Sequence, residues 1–282
     1  MAVAGSHLQN EMFLNLIVLG GNTEEKLRAA KNAGFDAVEI WNEDVDSYFG
    51  GATAVRTLAN NLEIGFTDCM VLRDFAGAPK SLREEKRSAA LAMLERAVAL
   101  GADAIQSPAT TLDDCDPSTV DSDLRWLCDE ASRYGIRVCY EPMAWSVLDH
   151  TLPAAWERIQ RIGAENLGIV VDMFHICSRG RTVADMDGID VAKIYQVQLS
   201  DLEFEVSPSD MPRLIESARH YRVFPGQGKF SMQPFLSKLK RAGYQGPVGV
   251  EVFSDALKKE DPLSVAMQAK KSLYKVWFDT DI

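Results

Sequence analysis

Four oxygen-bearing side chains stand at the ends of apolar runs in the second half of the chain. RVCYE (137–141) ends in Glu141, LGIVVD (167–172) in Asp172, YQVQ in Gln198 and PVGVE in Glu251. Three carboxylates and an amide oxygen brought together would repel one another, and a divalent cation removes the conflict by pairing the charge. An all-oxygen donor set suits Mg²⁺ or Mn²⁺, with Co²⁺ also admissible, rather than zinc. One acid at a strand end is more often a helix cap or an ion-pair partner. Four at the same phase of consecutive runs favour a shared metal ion.

Other residues surround this set. His175 follows Asp172 by three positions in VVDMFHI, where a base with a near-neutral pKa could reach a bound substrate. Arg73, in VLRDFAG, is either the surface partner of Asp74 or a fork that grips a substrate carboxylate. Arg222, Gln227 and Lys229 flank the Gly-rich turn of RVFPGQGKF. The turn is a weak phosphate cradle, because no lysine is placed as in a P-loop. Lys229 reads as solvated, and Asp201 either supports the site or is a loop acid.

Positioning these groups requires strands that end at one rim. A helix-period segment closed by Gly and followed at once by a β-rich run recurs along the chain. Gly34 precedes AVEIW (37–41), Gly101 precedes DAIQS (103–107), Gly135 precedes RVCYE, Gly163 precedes LGIVVD and Gly243 precedes PVGVEVF (247–253). Glycine closes a helix because its left-handed conformation carries no Cβ strain. FLNLIVL (13–19), EIGFTD (63–68) and KIYQVQL (193–199) bring the strands to eight. Ser81 and Glu84 read as a capping box opening a helix with an apolar stripe of Leu91, Leu94 and Val98. Pro117 is placed to begin the next helix. The helix between the sixth and seventh strands is weakly marked, and 201–231 reads as an extended loop with a short helix.

Nearly continuous Val, Ile and Leu runs suit a parallel sheet buried on both faces. Eight β/α units with no G-x-G-x-x-G after the first strand favour a single α/β (β/α)₈ TIM barrel over a doubly wound sheet. Residues 13–282 form that catalytic domain, and 1–12 are expected to be a flexible N-terminal segment.

Acids outnumber bases by 41 to 30, a formal charge of −11 that argues against nucleic acid as partner. Apolar residues make up 46% of the chain, enough for a large core. The five cysteines form no C-x-x-C pair, so reduced thiols in a cytoplasmic protein are expected. No run is long enough to span a membrane. Oligomeric state stays open, a homo-oligomer included, because aromatics of the last helix such as Trp277 read as either core or contact.

Taken together, TEEKLRAAKNAGFDAVEIW (23–41), RDFAG (73–77), YEPMAW (140–145), VDMFH (171–175), VQLSD (197–201), RHYRVFPGQG (219–228) and GPVGVEVFSD (246–255) resemble the metal-dependent xylose-isomerase-like barrels. Within them the chain is most similar to the bacterial 3-dehydroshikimate dehydratases. The resemblance implies metal ligation by Glu141, Asp172, Gln198 and Glu251, a catalytic role for His175 and Arg73, and substrate contacts from Arg73, Arg222 and Gln227. Ala76 and Ala218 stand where those dehydratases usually carry an acid and a serine.

The implied reaction is dehydration of 3-dehydroshikimate, or a close cyclic keto acid, to protocatechuate through a metal-stabilised enolate. The small-molecule alternative is a keto-sugar or inosose isomerase or epimerase using Glu141 and Glu251 as acid and base. A third alternative is a non-catalytic sugar-binding barrel.

Overall fold

Apolar runs with no polar alternation must be covered on both faces, and a closed barrel sheathed in helices does this. The computed structural model describes residues 10–278. The strands are β1 (Met12–Asn15), β2 (Ala37–Trp41), β3 (Gly65–Met70), β4 (Ala104–Pro108), β5 (Arg137–Glu141), β6 (Leu167–Asp172), β7 (Ile194–Leu199) and β8 (Val248–Val250). All neighbours are parallel, and β8 pairs back onto β1 to close the barrel. The expected single (β/α)₈ barrel is therefore present.

The helices are α1 (Thr23–Asn32), α2 (Asn42–Ser47), α3 (Gly51–Leu62), α4 (Arg83–Leu100), α5 (Val120–Ser132), α6 (Leu152–Ile162), α7 (Met173–Cys177), α8 (Met211–His220), α9 (Gln233–Arg241) and α10 (Pro262–Phe278). Gly101 and Gly163 cap α4 and α6 in the left-handed conformation. The weakly marked connection between β6 and β7 is the short α7 followed by two 3-10 turns. The main apolar core lies between strands and helices, and Phe35, Leu94, Leu127 and Leu236 belong to it.

Several local expectations fail for identifiable reasons. Asn15 ends the first strand, because its side chain accepts the Ile17 N–H and starts a 3-10 turn over Leu16–Val18. The Ser81–Glu84 capping box is absent: Leu82 caps α4 without a side-chain bond. Leu91 and Val98 are each 41% exposed, while Ala90, Met93, Leu94 and Ala97 form the buried face. Helix α5 starts at Val120, three residues after Pro117.

Residues 1–9 of the expected flexible segment lie outside the described residues. Asn10 is held in place, since its Nδ2 donates to the carbonyls of Tyr244 and Gly246 and its Oδ1 accepts from Trp277 Nε1. Trp277 is accordingly core, at 2% exposure, and offers no contact face. The five cysteines are free thiols. Among the described residues no helix is long and apolar enough to cross a membrane.

Candidate metal centre and substrate cavity

Residues two apart on a strand share a face. At inward positions this barrel carries Asn15, Glu39, Asp68, Gln106, Gln196 and Gln198, all buried. Above them, Glu141 and Asp172 close their strands, and Glu251 follows Val250 directly. Asp172 and Gln198 are register partners across β6 and β7.

Each proposed ligand is held by neighbours. Glu141 accepts from Gln106 Nε2 at 2.8 Å. Asp172 caps α7, its Oδ1 taking the Phe174 N–H at 2.7 Å. Glu251 accepts from Asn15 Nδ2 at 3.1 Å and from Arg222 Nη1 at 3.0 Å. Arg222 Nη1 also lies 3.2 Å from Asp172 Oδ2, and the guanidinium sits 4.3 Å from the Phe174 ring centroid and 4.9 Å from that of Phe253.

Glu141, Asp172 and His175 present ligand-type atoms within 4.8 Å of one another. His175 offers this cluster an N–H rather than a lone pair. The Ala144 N–H donates to His175 Nδ1 at 3.1 Å, so the neutral ring carries its proton on Nε2. That Nε2 stands 3.4 Å from both Glu141 Oε1 and Asp172 Oδ2, where it steadies the carboxylates. Gln198 differs from these partners. Its Nε2 donates to Glu39 Oε1 at 2.7 Å, but its buried Oε1 has no hydrogen-bond partner. An orphan buried acceptor is costly, and it fits an oxygen donor reserved for a cation. The residues present therefore suit a divalent metal held by Glu141, Asp172, Gln198 and Glu251.

The electrostatics follow from crowding. Burial pushes Glu251 well above the ordinary carboxylate range, and Asp172 and Glu141 add to the rise against Arg222. Burial raises Glu141 as well, but the hydrogen bonds from His175 and Gln106, with the charge of Arg222, hold it below its usual value. Burial, then Asp68 and Glu251, drives Glu39 well up. A bound cation would favour the ionised forms.

A cavity of about 450 Å³ opens onto this cluster. Glu141, His175, Arg222 and Glu251 line it, with Trp41, Trp145 and Phe253 as apolar walls and Arg73 and Asp74 at the loop after β3. Asp74 does not pair with Arg73. It has a positive φ of 51° and accepts from the Thr111 N–H at 2.7 Å and the Thr111 hydroxyl at 3.0 Å. Arg73 is exposed and lies 5.5 Å from the Trp41 ring centroid.

Gln227, expected at the substrate, is exposed and does not line the cavity. The reason is Asp201. Its buried carboxylate takes the N–H groups of Leu202, Gly226 and Phe230, which folds the PGQG turn back on itself. Gly228 fits there because a Cβ would strike the Leu202 carbonyl and the Asp201 side chain. Asp201 is thus a loop organiser, and Lys229 is exposed as expected. Of the two departures, Ala218 lines the cavity and Ala76 does not.

Sequence reasoning passed over Glu39, Asn15, Gln106, Arg219 and the aromatic walls. The signal for the first was available: an acid inside the apolar run AVEIW must face a polar interior if that run is buried on both sides.

The fold and the carboxylate cluster define a class, the metal-type (β/α)₈ barrels, and the comparisons narrow it. A family profile described as the xylose isomerase-like TIM barrel matches residues 27–275. The chain belongs to that family. It is 32% identical to a 3-dehydroshikimate dehydratase of Pseudomonas aeruginosa over 91% of its own length and 40% of that protein's. The chain thus spans less than half of that curated relative. An inosose isomerase of Halalkalibacterium halodurans is 32% identical over 128 residues, 45% of this chain and 43% of that one. Among solved structures, a xylose isomerase-like TIM barrel/4-hydroxyphenylpyruvate dioxygenase fusion protein superposes with a TM-score of 0.88 at 28% identity, over 95% of this chain and 43% of that one.

Proposed function

We propose that this chain is a divalent-metal-dependent hydro-lyase that dehydrates 3-dehydroshikimate, or a close cyclic keto acid, to protocatechuate. One observation carries the reading: a single cavity is lined by two buried carboxylates of the oxygen-donor cluster, Glu141 and Glu251, and by an arginine, Arg73, with no acidic partner among the described residues. The first suits a cation facing a ketone, and the second suits a carboxylate. The names of the dehydratase relatives support the choice of substrate.

Glu141, Asp172, Gln198 and Glu251 would hold the ion, with Mg²⁺ or Mn²⁺ favoured by the donor set. When bound, the ion supplies Lewis-acid stabilisation of the charge that develops on the ketone oxygen. Arg73 grips the substrate carboxylate, which fixes the ring so that the reacting bonds are aligned. Overall, a C–H bond beside the ketone and the neighbouring C–OH bond break, and one water leaves. His175 takes the C–H proton at Nε2 and passes it to the departing hydroxyl, which leaves as water and returns the ring to its neutral form. Acting as base from Nε2 requires the other tautomer and loss of the Ala144 hydrogen bond. Trp41, Trp145 and Phe253 exclude bulk water from the ring.

A second reading is a keto-sugar or inosose isomerase in which Glu141 and Glu251 move protons between adjacent carbons. The inosose isomerase relative supports it. So does the upward push on Glu251, which suits an acid. Incubation with 3-dehydroshikimate and Mg²⁺ or Mn²⁺, followed by ultraviolet absorbance, separates the two. Growth of an aromatic band supports dehydration. No band with any of several metals, together with turnover of an inosose, would transfer the assignment.

A further inference from the structure

Three arginines line the cavity, and Arg222 alone is neutralised there, by Asp172 and Glu251. Arg73 and Arg219 approach from different elements, the loop after β3 and the last turn of α8. Both are exposed. The acids beside them in sequence, and the acid that meets the adjoining His220, are engaged elsewhere. Asp74 is bound by Thr111. Glu216, one turn before Arg219, pairs with Arg213 at 2.7 Å. Asp255 pairs with His220 at 2.9 Å. Among the described residues neither Arg73 nor Arg219 forms an ion pair.

A cation in the last turn of a helix can simply complement the helix dipole. His220 already stands at that end, and it does not line the cavity. Two guanidinium groups without an ion pair at the mouth of one cavity, in a chain of formal charge −11, offer a site for an anion.

We propose that Arg219 is a substrate-binding residue that acts with Arg73 to select a carboxylate-bearing ring over a neutral polyol ketone. The inference rests on the dehydratase reading for the identity of the ring, but not for the sign of its charge.

The test is calorimetric titration of the Mn²⁺-loaded protein with protocatechuate and, separately, with its neutral primary amide. Wild type, R73Q, R219Q, R219K and R125Q are compared. Arg125 is exposed on α5, lies outside the cavity and controls for total charge. Wild type should bind the acid more tightly than the amide. R219Q should weaken acid binding about tenfold or more, the usual scale for a lost charge-assisted contact, and leave the amide within about twofold. R219K should recover part of the loss, and R125Q should match wild type.

Unchanged acid binding in R219Q overturns the assignment, as does a wild type with no preference for the acid. Turnover of 3-dehydroshikimate by the same samples keeps the two failures apart. No turnover with an Arg219-dependent acid preference sinks only the dehydratase reading. Turnover with unchanged KM and acid affinity in R219Q sinks only the role of Arg219.

Discussion

Replacing Gln198 with leucine should leave the metal-free protein close to wild type in stability while removing most of its stabilisation by metal. Two opposing terms set the first half. The substitution deletes Nε2, which donates to Glu39 at 2.7 Å, a loss of about 0.5–1.5 kcal/mol because burial drives the Glu39 carboxyl toward its neutral form. It also deletes the unpartnered buried Oε1, whose desolvation costs about 1–3 kcal/mol. Glu39 keeps donors in Asn15 and Gln196.

For the second half, metal at a hundredfold excess over its Kd stabilises the wild type by about 2.7 kcal/mol. At roughly 2–4 °C per kcal/mol for a domain of this size, Tm rises about 5–11 °C. Even supporting residues around a metal change affinity about 10–100-fold, and a direct ligand should reach at least the upper end. A hundredfold weaker site at the same metal concentration retains only about 0.4 kcal/mol, or about 1–2 °C. Thermal unfolding of chelated and Mn²⁺-loaded samples reads both quantities. A Gln198→Leu protein whose Tm rises with Mn²⁺ as much as wild type would show that the amide does not bind the ion, and the reading of its orphan oxygen would be wrong.

Three further outcomes follow from the same geometry. His175→Ala should lower kcat by about 10²–10⁴ while the Mn²⁺-induced rise in Tm persists, and wild-type turnover would refute its role in proton transfer. Burial raises the Asp68 carboxyl to about 8, with Oδ2 unpartnered, so the folded state holds a proton that the unfolded state has lost. Its contribution to stability is therefore full below about pH 4, declines as pH rises toward 8, and is then constant. In chelated protein, Asp68→Asn should gain at least about 1 kcal/mol on wild type between pH 5 and pH 8, and denaturant titrations at both values check the sign. Asp74→Ala must place a Cβ residue at a φ of 51° without the Thr111 bonds, at a cost of about 1–3 kcal/mol. It should also raise KM by displacing Arg73. Asp74→Asn, which tolerates the left-handed region, should recover most of both.

The barrel was legible because its signals are local: glycine at helix ends, continuous apolar runs, and an oxygen donor at each late strand terminus. Those features act within a few residues, and parallel strands of matched phase bring the ends carrying Glu141, Asp172, Gln198 and Glu251 to one rim. What the sequence hid depends on contacts across the molecule. Gln227 looks like a rim residue until Asp201, which collects three backbone N–H groups, turns its loop away. Arg73 and Asp74 read as neighbours, yet Thr111, 37 positions away, claims the acid. Leu91 and Val98 fit a helical stripe, but the angle at which α4 meets the barrel exposes them. Periodicity reports that a face is apolar and not which way the helix turns it.

The barrel interior shows why the site can hold a concentrated negative charge without binding it up internally. Such interiors are normally filled by layers of Val, Ile and Leu. Here Asn15, Gln106, Gln196 and Gln198 occupy inward positions, and their amides donate to Glu39, Glu141 and Glu251. A neutral amide orients a carboxylate and satisfies its lone pairs but leaves its charge available. A lysine in the same place would cancel that charge and compete with any incoming ion. The groups of opposite type that touch the ligand carboxylates are His175 and Arg222, both at the cavity wall rather than beneath the cluster. The polar floor therefore sets position and the wall moderates charge, an arrangement that a divalent cation would complete under the proposed function.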